Sequence, residues 1–519
     1  MTDPLVPAAP LPEASLPGMS ALSPAVLAPT GRFGRSLTEF WAASRQPASS
    51  STLLACATVG VVGGALLVGH RLGLGAALVG LAVWAAAAPA LVRRRAVGDL
   101  VTAGLSVALV SVVAVRDASW VVALCLVTAA LAGAVAATSA RSAPAVVLSA
   151  ASWAAGAVRA LPWLRRGAGT LLGSRRRQVL ATLRSVAVTV VLVGVFGMLF
   201  ASADTVFASF VPRVDVGLLP RQVVVGVLVA LVAATLVNLA LAPPGWSDAE
   251  LPPGRSVARG EWLLPVLALD ALVLAFVLVQ VGALLGGHRH VLETAGLTYA
   301  EYARQGFAQL VAATALTLVV VAVAARRAPR ASDRDRLVSR LALGVLCVAT
   351  LGVVASALRR MSLYMDAFGL TRLRLFVVVA EVVLAVVIVL VLAAGVRWRG
   401  RWLPRAVVQV TAVAMLGLAL VNPDALIVRY NAAAARDASL VAGLDIAYLQ
   451  GLSADAVPEI DRLDEPLRSC VLQHVTGATP EGIADWNLGR DRAAHVTAAE
   501  ASDPSGTSTC AGYADRSMT

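Results

Sequence analysis

Eleven runs of about twenty apolar residues alternate with polar breaks between Ser51 and Asn422: 51–69, 72–92, 97–115, 118–140, 185–203, 222–242, 263–285, 306–325, 338–358, 375–396 and 406–422. Each is close to the ~20 residues that an α-helix needs to cross ~30 Å of hydrocarbon. The breaks are sharp at His70-Arg71, Arg93-Arg94-Arg95 and Arg116-Asp117, and later ones are longer polar loops. The pattern predicts an all-α, polytopic α-helical membrane protein with about eleven transmembrane helices and a small helical C-terminal appendage. A further apolar stretch, 144–158, opens on Pro144 and has 15 residues. It is too short to span and is expected to lie in the interface or to be re-entrant.

Composition excludes other classes. Hydrophobic residues make up 58% of the 519 and charged residues 14%, against about 25% charged in soluble domains. Mean hydropathy is +0.78. A disordered chain is ruled out, the composition argues strongly against an ordinary soluble globule, and the lipid bilayer is the expected partner. All 43 basic residues are arginine, and the net charge is +12. That excess would suggest nucleic-acid binding in a soluble protein. Here the arginines lie mainly between apolar runs, where they orient the chain, so no nucleic-acid partner is expected.

With the N-terminus inside, the inner segments carry 26 arginines and the outer loops 10. The positive-inside rule therefore puts the N-terminus in the cytoplasm, and eleven crossings put the C-terminus outside the cell membrane. The loop 141–184 is the most basic. Its Arg165, Arg166, Arg175, Arg176 and Arg177 could attract anionic lipid, although an orientation signal alone would look the same. Trp163, Trp246, Trp262, Trp398 and Trp402 fall at inner helix ends, as in an aromatic belt.

The domains follow: a disordered N-terminal tail over 1–50, four helices over 51–140, the basic loop over 141–184 with a short interfacial helix, seven helices over 185–422, a helical extracytoplasmic tail over 423–500, and a disordered end over 501–519. In the tail, Asn422-Pro423-Asp424 reads as a helix start running to about Arg436. Short elements are expected from Leu444 to Leu449, after Ser453, and around Leu467 to Val475. Cys56, Cys125 and Cys347 sit in apolar runs, whereas Cys470 and Cys510 sit in the polar tail. An outside location would let the last two form a disulfide, or both could be free.

Ionisable residues within spans are the usual pointers to function in a membrane. Asp270 and Glu381 are two such residues, with Asn238, Gln280 and Gln409 as neutral polar companions. They could line a proton or cation path, or pair with neighbouring helices. Gly60 and Gly64 have the spacing that permits close helix packing. His288-Arg289-His290 could contribute to a zinc site or be a solvated loop. Hydrolase, phosphate-loop and dinucleotide motifs are absent. No catalytic residue, metal or cofactor is called for.

Several segments resemble a known family. They are Phe200-Ala201-Ser202-Ala203-Asp204 with Phe207; Thr298-Tyr299-Ala300-Glu301-Tyr302-Ala303-Arg304 with Gly306-Phe307; and Tyr364 with Ala367-Phe368-Gly369-Leu370-Thr371 and Arg374. In the tail they are Asn422-Pro423-Asp424, Leu444-Asp445 with Tyr448, and Ser453-Ala454-Asp455-Ala456-Val457-Pro458. Together they are similar to bacterial multi-pass membrane proteins grouped under a domain of unknown function, the 4153/4173 group, over roughly 180–495. The resemblance implies a polytopic bacterial membrane protein and carries no activity. Nearly all of these segments are expected on the outer side. Asp204, Tyr299, Glu301, Arg304, Tyr364, Asp366, Arg374, Asp445 and Asp455 are then candidates to join the tail to the outer loops as a cap. The chain reads first as a non-enzymatic sensing or scaffolding protein. Second comes a secondary transporter using Asp270 or Glu381, and third an enzyme of lipid or envelope precursors with Glu301, Asp204 and Asp366.

Overall fold

The structure is a computed structural model that describes residues 46–173, 176–203, 217–244, 258–285, 307–329, 332–398, 400–436, 444–472 and 482–501. Every described element is helical. The bundle helices are α1 (Ser50–Leu67), α2 (Leu74–Arg94), α3 (Val97–Ser111, prolonged by a 3₁₀ turn to Ala114), α4 (Ser119–Thr138), α5 (Ala143–Leu172), α6 (Arg176–Ala203), α7 (Leu219–Leu241), α8 (Arg259–Leu285), α9 (Phe307–Arg327), α10 (Asp333–Phe368), α11 (Arg372–Arg397) and α12 (Leu403–Val421). The tail forms α13 (Pro423–Arg436), α14 (Ile446–Gln450), a 3₁₀ turn at Ala454–Ala456, α15 (Val457–Ile460), α16 (Leu467–Leu472) and α17 (Leu488–Ala501).

Eleven of these helices are long and apolar enough to cross a bilayer: α1 to α5 and α7 to α12. Their outward surfaces carry Leu54, Val61, Val127, Leu272, Leu278 and Leu420, exposed as lipid-facing side chains are. The set differs from the expected one at two places. The 15-residue stretch at 144–158 is the first half of the 30-residue α5, which Ser142 caps and which runs on through Arg159 and Pro162. The expected span at 185–203 lies in α6, whose apolar centre is Val191–Phe200.

The near face of the bundle is where α1 begins. α1 runs antiparallel to α7, because Gly60 faces Gly226 and Gly64 faces Gln222. A Cβ on Gly64 would sit 2.4 Å from the Gln222 carbonyl oxygen, and one on Gly60 would sit 2.7 Å from that of Gly226. The glycine pair thus serves a contact within the chain, with the two backbones nearly touching. Arg94, at the end of α2, donates to Ala137 and Leu239 carbonyls, each at 3.0 Å, and also to that of Ala240. One guanidinium therefore satisfies carbonyls that the ends of α4 and α7 leave without helical partners.

α5 follows the near face. Its buried stripe is built of small residues: Ala145, Ser149, Ser152, Gly156, Ala160 and Gly167. Trp153 donates to Ala130 in the second half of α4, Arg159 donates to Ala242 just past α7 at 2.6 Å, and the Trp163 carbonyl accepts the Ala48 amide just before α1. The apolar stretch ends in the sequence at Arg159, but the helix carries this residue buried and continues past it. Trp163 and Trp262 are themselves buried, packed against near-face helix ends instead of facing lipid headgroups.

Two further cores complete the bundle. One joins α3, α4 and α12 through Leu109, Val121, Cys125 and Ala412. The other joins α8 to α11 through Trp262, Leu346, Val354 and Ile388.

Candidate functional site

The tail elements gather on the far face around a separate core of Ile427, Val428, Leu449, Val457, Ile460 and Val471. Apolar residues supply its bulk. Polar groups fix where it sits on the bundle, and two buried carboxylates dominate that junction.

Asp424, at the start of α13, is fully buried and receives four donors. Arg372 Nε reaches Oδ1 at 3.0 Å and Arg372 Nη2 reaches Oδ2 at 2.5 Å, a two-pronged pair. Trp120 Nε1 adds a bond at 3.2 Å and the Ser453 amide one at 2.9 Å. One side chain therefore ties α11, α4 and the 3₁₀ turn to α13. Burial alone would raise its carboxyl, but the hydrogen bonds from Arg372 and Ser453 outweigh burial and hold it below the usual carboxylate range.

Asp455 is buried on the neighbouring turn. Its Oδ2 accepts the amides of Asp117 at 2.7 Å and Ala118 at 2.8 Å, the residues that lead into α4. An acid there also complements the positive end of the helix dipole. Burial pushes this carboxyl up, against the pull of the Ala118 and Asp117 amides. Gly489 of α17 packs on the same carboxylate, where a Cβ would come within 2.1 Å of Asp455 Oδ1. Only glycine allows that approach.

The residues leading into α17 close the far-face loops that join α1 to α2 and α3 to α4. Asp485 receives the Arg71 amide at 2.5 Å and pairs with His70 Nδ1 at 3.3 Å. The carbonyls of Trp486 and Ala484 accept the Leu74 and Gly75 amides that open α2. Asn487 Nδ2 donates to Val113 and Arg116 carbonyls at 2.9 Å, and Arg490 pairs with Asp117 at 2.6 Å. Asn431 of α13 clamps Leu370 by accepting its amide at 2.6 Å and donating to its carbonyl at 3.0 Å.

The candidates from the sequence fall into three groups. Asp366 accepts the Tyr430 hydroxyl at 2.7 Å, Asp445 caps the Tyr448 amide at 2.9 Å, and Arg374 lies 4.3 Å above the Tyr364 ring while donating to the Phe368 carbonyl. These join Asp455 at the junction. Of the polar residues in the spans, Gln280 accepts from Ser356 and Arg360, both at 3.2 Å, and Gln409 donates to Thr102 at 2.9 Å. Asn238 is buried in α7. Asp270 in α8 and Glu381 in α11 are buried, with α10 between the two helices. None of their four carboxylate oxygens has a hydrogen-bond partner among the described residues. Asp204, Tyr299, Glu301, Arg304, Cys510 and the His288–His290 pair lie outside the described residues, and with them most of the proposed enzyme cluster. Cys470 is buried and disulfide-bonded, while Cys56, Cys125 and Cys347 are free. Among the described residues, no group of three or more His, Cys, Asp or Glu is placed to hold a metal.

Sequence reasoning missed Asp485, Asn487, Arg490 and the helix that carries the last. It also missed the near-face pair of Asp99 with Arg405 at 2.6 Å, backed by Ser139. Asp99 stands two residues into α3, where it reads as an ordinary first-turn acid.

A cavity of about 230 Å³ opens inside the cap, lined by Arg116, Arg429, Asp455, Glu459, Arg462 and Arg492 among others. Glu459 pairs with Arg462 at 3.0 Å and with Arg429 at 3.7 Å, and Arg116 Nη1 stands 3.9 Å from Asp455.

An all-helical chain with this many long apolar helices is an integral, multi-pass membrane protein. It belongs to the family described as a domain of unknown function (DUF4153), whose model matches residues 104–463. The match starts within α3, earlier than the segments that carry the resemblance, and stops before α17. No curated protein and no solved structure matches the chain.

Proposed function

We propose that the protein is a non-enzymatic sensing or scaffolding component of the cell membrane, acting through its cap, with the near face cytoplasmic and the cap outside. The observation that carries this reading is the use of the far-face polar groups. Asp424, Asp485, Asn487 and Arg490, together with one oxygen of Asp455, fasten the tail to the far-face ends of α2, α4 and α11. The orientation is supported by the arginines of the near face, including Arg93 to Arg95, Arg326 and Arg327. Arg165 and Arg166 on α5 and Arg177 on α6 are exposed there, and we assign them to anionic lipid, together with their sequence neighbours Arg175 and Arg176, whose side chains lie outside the described residues. An outside cap also suits the bonded Cys470. With three cysteines free, we assign Cys510 as its partner.

The test is labelling of an Ile483→Cys variant in intact cells with a membrane-impermeant maleimide, because Ile483 is 80% exposed on the cap. Labelling before the membrane is opened is expected. Labelling only after opening would reverse the orientation and remove the cap from the outside.

One observation favours a second reading, a secondary transporter: the unpartnered, buried Asp270 and Glu381. Ion or proton flux into proteoliposomes, abolished by Asp270→Asn or Glu381→Gln, would move the conclusion to transport.

A further inference from the structure

The cavity within the cap is unlike the junction beneath it, because its charges do not cancel. Four guanidiniums converge on it from four separate segments: Arg116 after α3, Arg429 on α13, Arg462 after α15 and Arg492 on α17. Two carboxylates, Asp455 and Glu459, face them, which leaves two positive charges in excess. Arg116 is largely buried, with its Nε and Nη2 donating to the Ala419 and Leu420 carbonyls at the end of α12. Its Nη1 is the arm directed toward the cavity charge. Arg492 is exposed and makes no hydrogen bond or ion pair among the described residues, yet it lies close enough to Arg116 to repel it. Like charges held across a small space destabilise the closed cap unless an anion sits between them.

We propose that this arginine-lined cavity binds a phosphate-bearing anion. The inference rests on the reading of the tail as a docked cap. An excess of two charges matches a dianion, and guanidinium forks suit phosphate oxygens, which accept two parallel N–H donors. A volume of about 230 Å³ lies below the ~300–1,000 Å³ of sites for drug-sized ligands. It fits a free phosphate or a lipid headgroup. The floor of the cavity is set by Arg116 and Asn422, at the far-face ends of α3 and α12. The ends of spanning helices stand at the headgroup level of a bilayer, which puts both sources within reach.

The experiment uses the full chain, purified in a neutral detergent at low salt, with inorganic phosphate and short-chain phosphatidic acid as separate probes. Binding is read by equilibrium titration and by a rise in unfolding temperature. Binding of inorganic phosphate identifies a free anion as the ligand, and binding of phosphatidic acid alone identifies a headgroup; either supports the site. Arg462→Gln and Arg492→Gln should each weaken binding about ten- to hundredfold, the loss expected for one charge-assisted hydrogen bond. Both residues are exposed, so neither variant should disturb folding. Failure of both probes to bind, or binding unchanged in the double variant, overturns the site. Amide exchange over residues 446–472 is followed in the same samples. A protected cap without binding defeats the anion site and leaves the cap reading standing. An unprotected cap without binding defeats both.

Discussion

Asp424 and Asp455 in the cap junction and Asp270 and Glu381 in the spans are all buried acids with opposite surroundings. Asp424 receives four donors from three distant segments, and Asp455 receives two backbone amides. Asp270 and Glu381 receive none among the described residues. A buried carboxylate that accepts donors from distant segments is a fastener, whereas one that accepts none is either neutral or waiting for a ligand. Burial alone therefore does not mark a functional acid; the count of donors separates the two kinds.

The strongest way to break this contrast is Asp424→Ala, which strands Arg372 opposite an empty place. Removing one partner of such a pair costs about 3–5 kcal/mol. We expect loss of amide protection over the cap and a lower unfolding temperature in detergent; full protection in the variant would mean that the junction does not depend on this acid. Asp424 also sets an acid limit. Its folded-state value lies below the unfolded one, so its contribution is complete above the ordinary range of ~3.9 and is lost as pH falls through the lowered value. The cap should stay protected at pH 5 and lose protection only as pH falls below the ordinary carboxylate range, and Asp424→Asn should remove this limb.

A smaller effect is expected from Asp455→Ala, which leaves the Asp117 and Ala118 amides unpaired at the start of α4. The expected cost is about 1–3 kcal/mol, read by denaturation and by faster exchange at those two amides. The smallest effect belongs to Asp270→Asn and Glu381→Gln. With no donors to lose, each should change stability by less than about 1 kcal/mol or raise it slightly. A large loss in either would expose a partner essential to the fold and erase the contrast.

Much of the fold is legible in the sequence because lipid imposes one rule, long apolar helices separated by polar breaks. α13 begins at Pro423 and ends at Arg436, where the proline, the acid and the composition placed it. α5 was underestimated because Arg159 reads as a polar stop, whereas in the fold the helix carries it buried, with a tertiary bond to Ala242. The cap was legible in part. Asp455 and Arg374 stood out within recognisable segments, but Asp485 and Asn487 act by meeting Arg71 and Val113, more than 370 residues away, and no local pattern encodes that meeting. α17 was missed for a related reason: a short helix of alanines interspersed with charged residues has no apolar periodicity to announce it.

The bare backbone contact between Gly64 and Gln222 has a consequence for biosynthesis. The first helix enters the membrane roughly 160 residues before the seventh has been translated, an interval of about 8–30 s at ordinary ribosome speeds. Throughout that interval a strip without side chains faces lipid or the insertion machinery. A bulky residue at Gly64 would therefore do its damage late: the first helix would insert normally, and the defect would surface only when its partner arrived and could not dock.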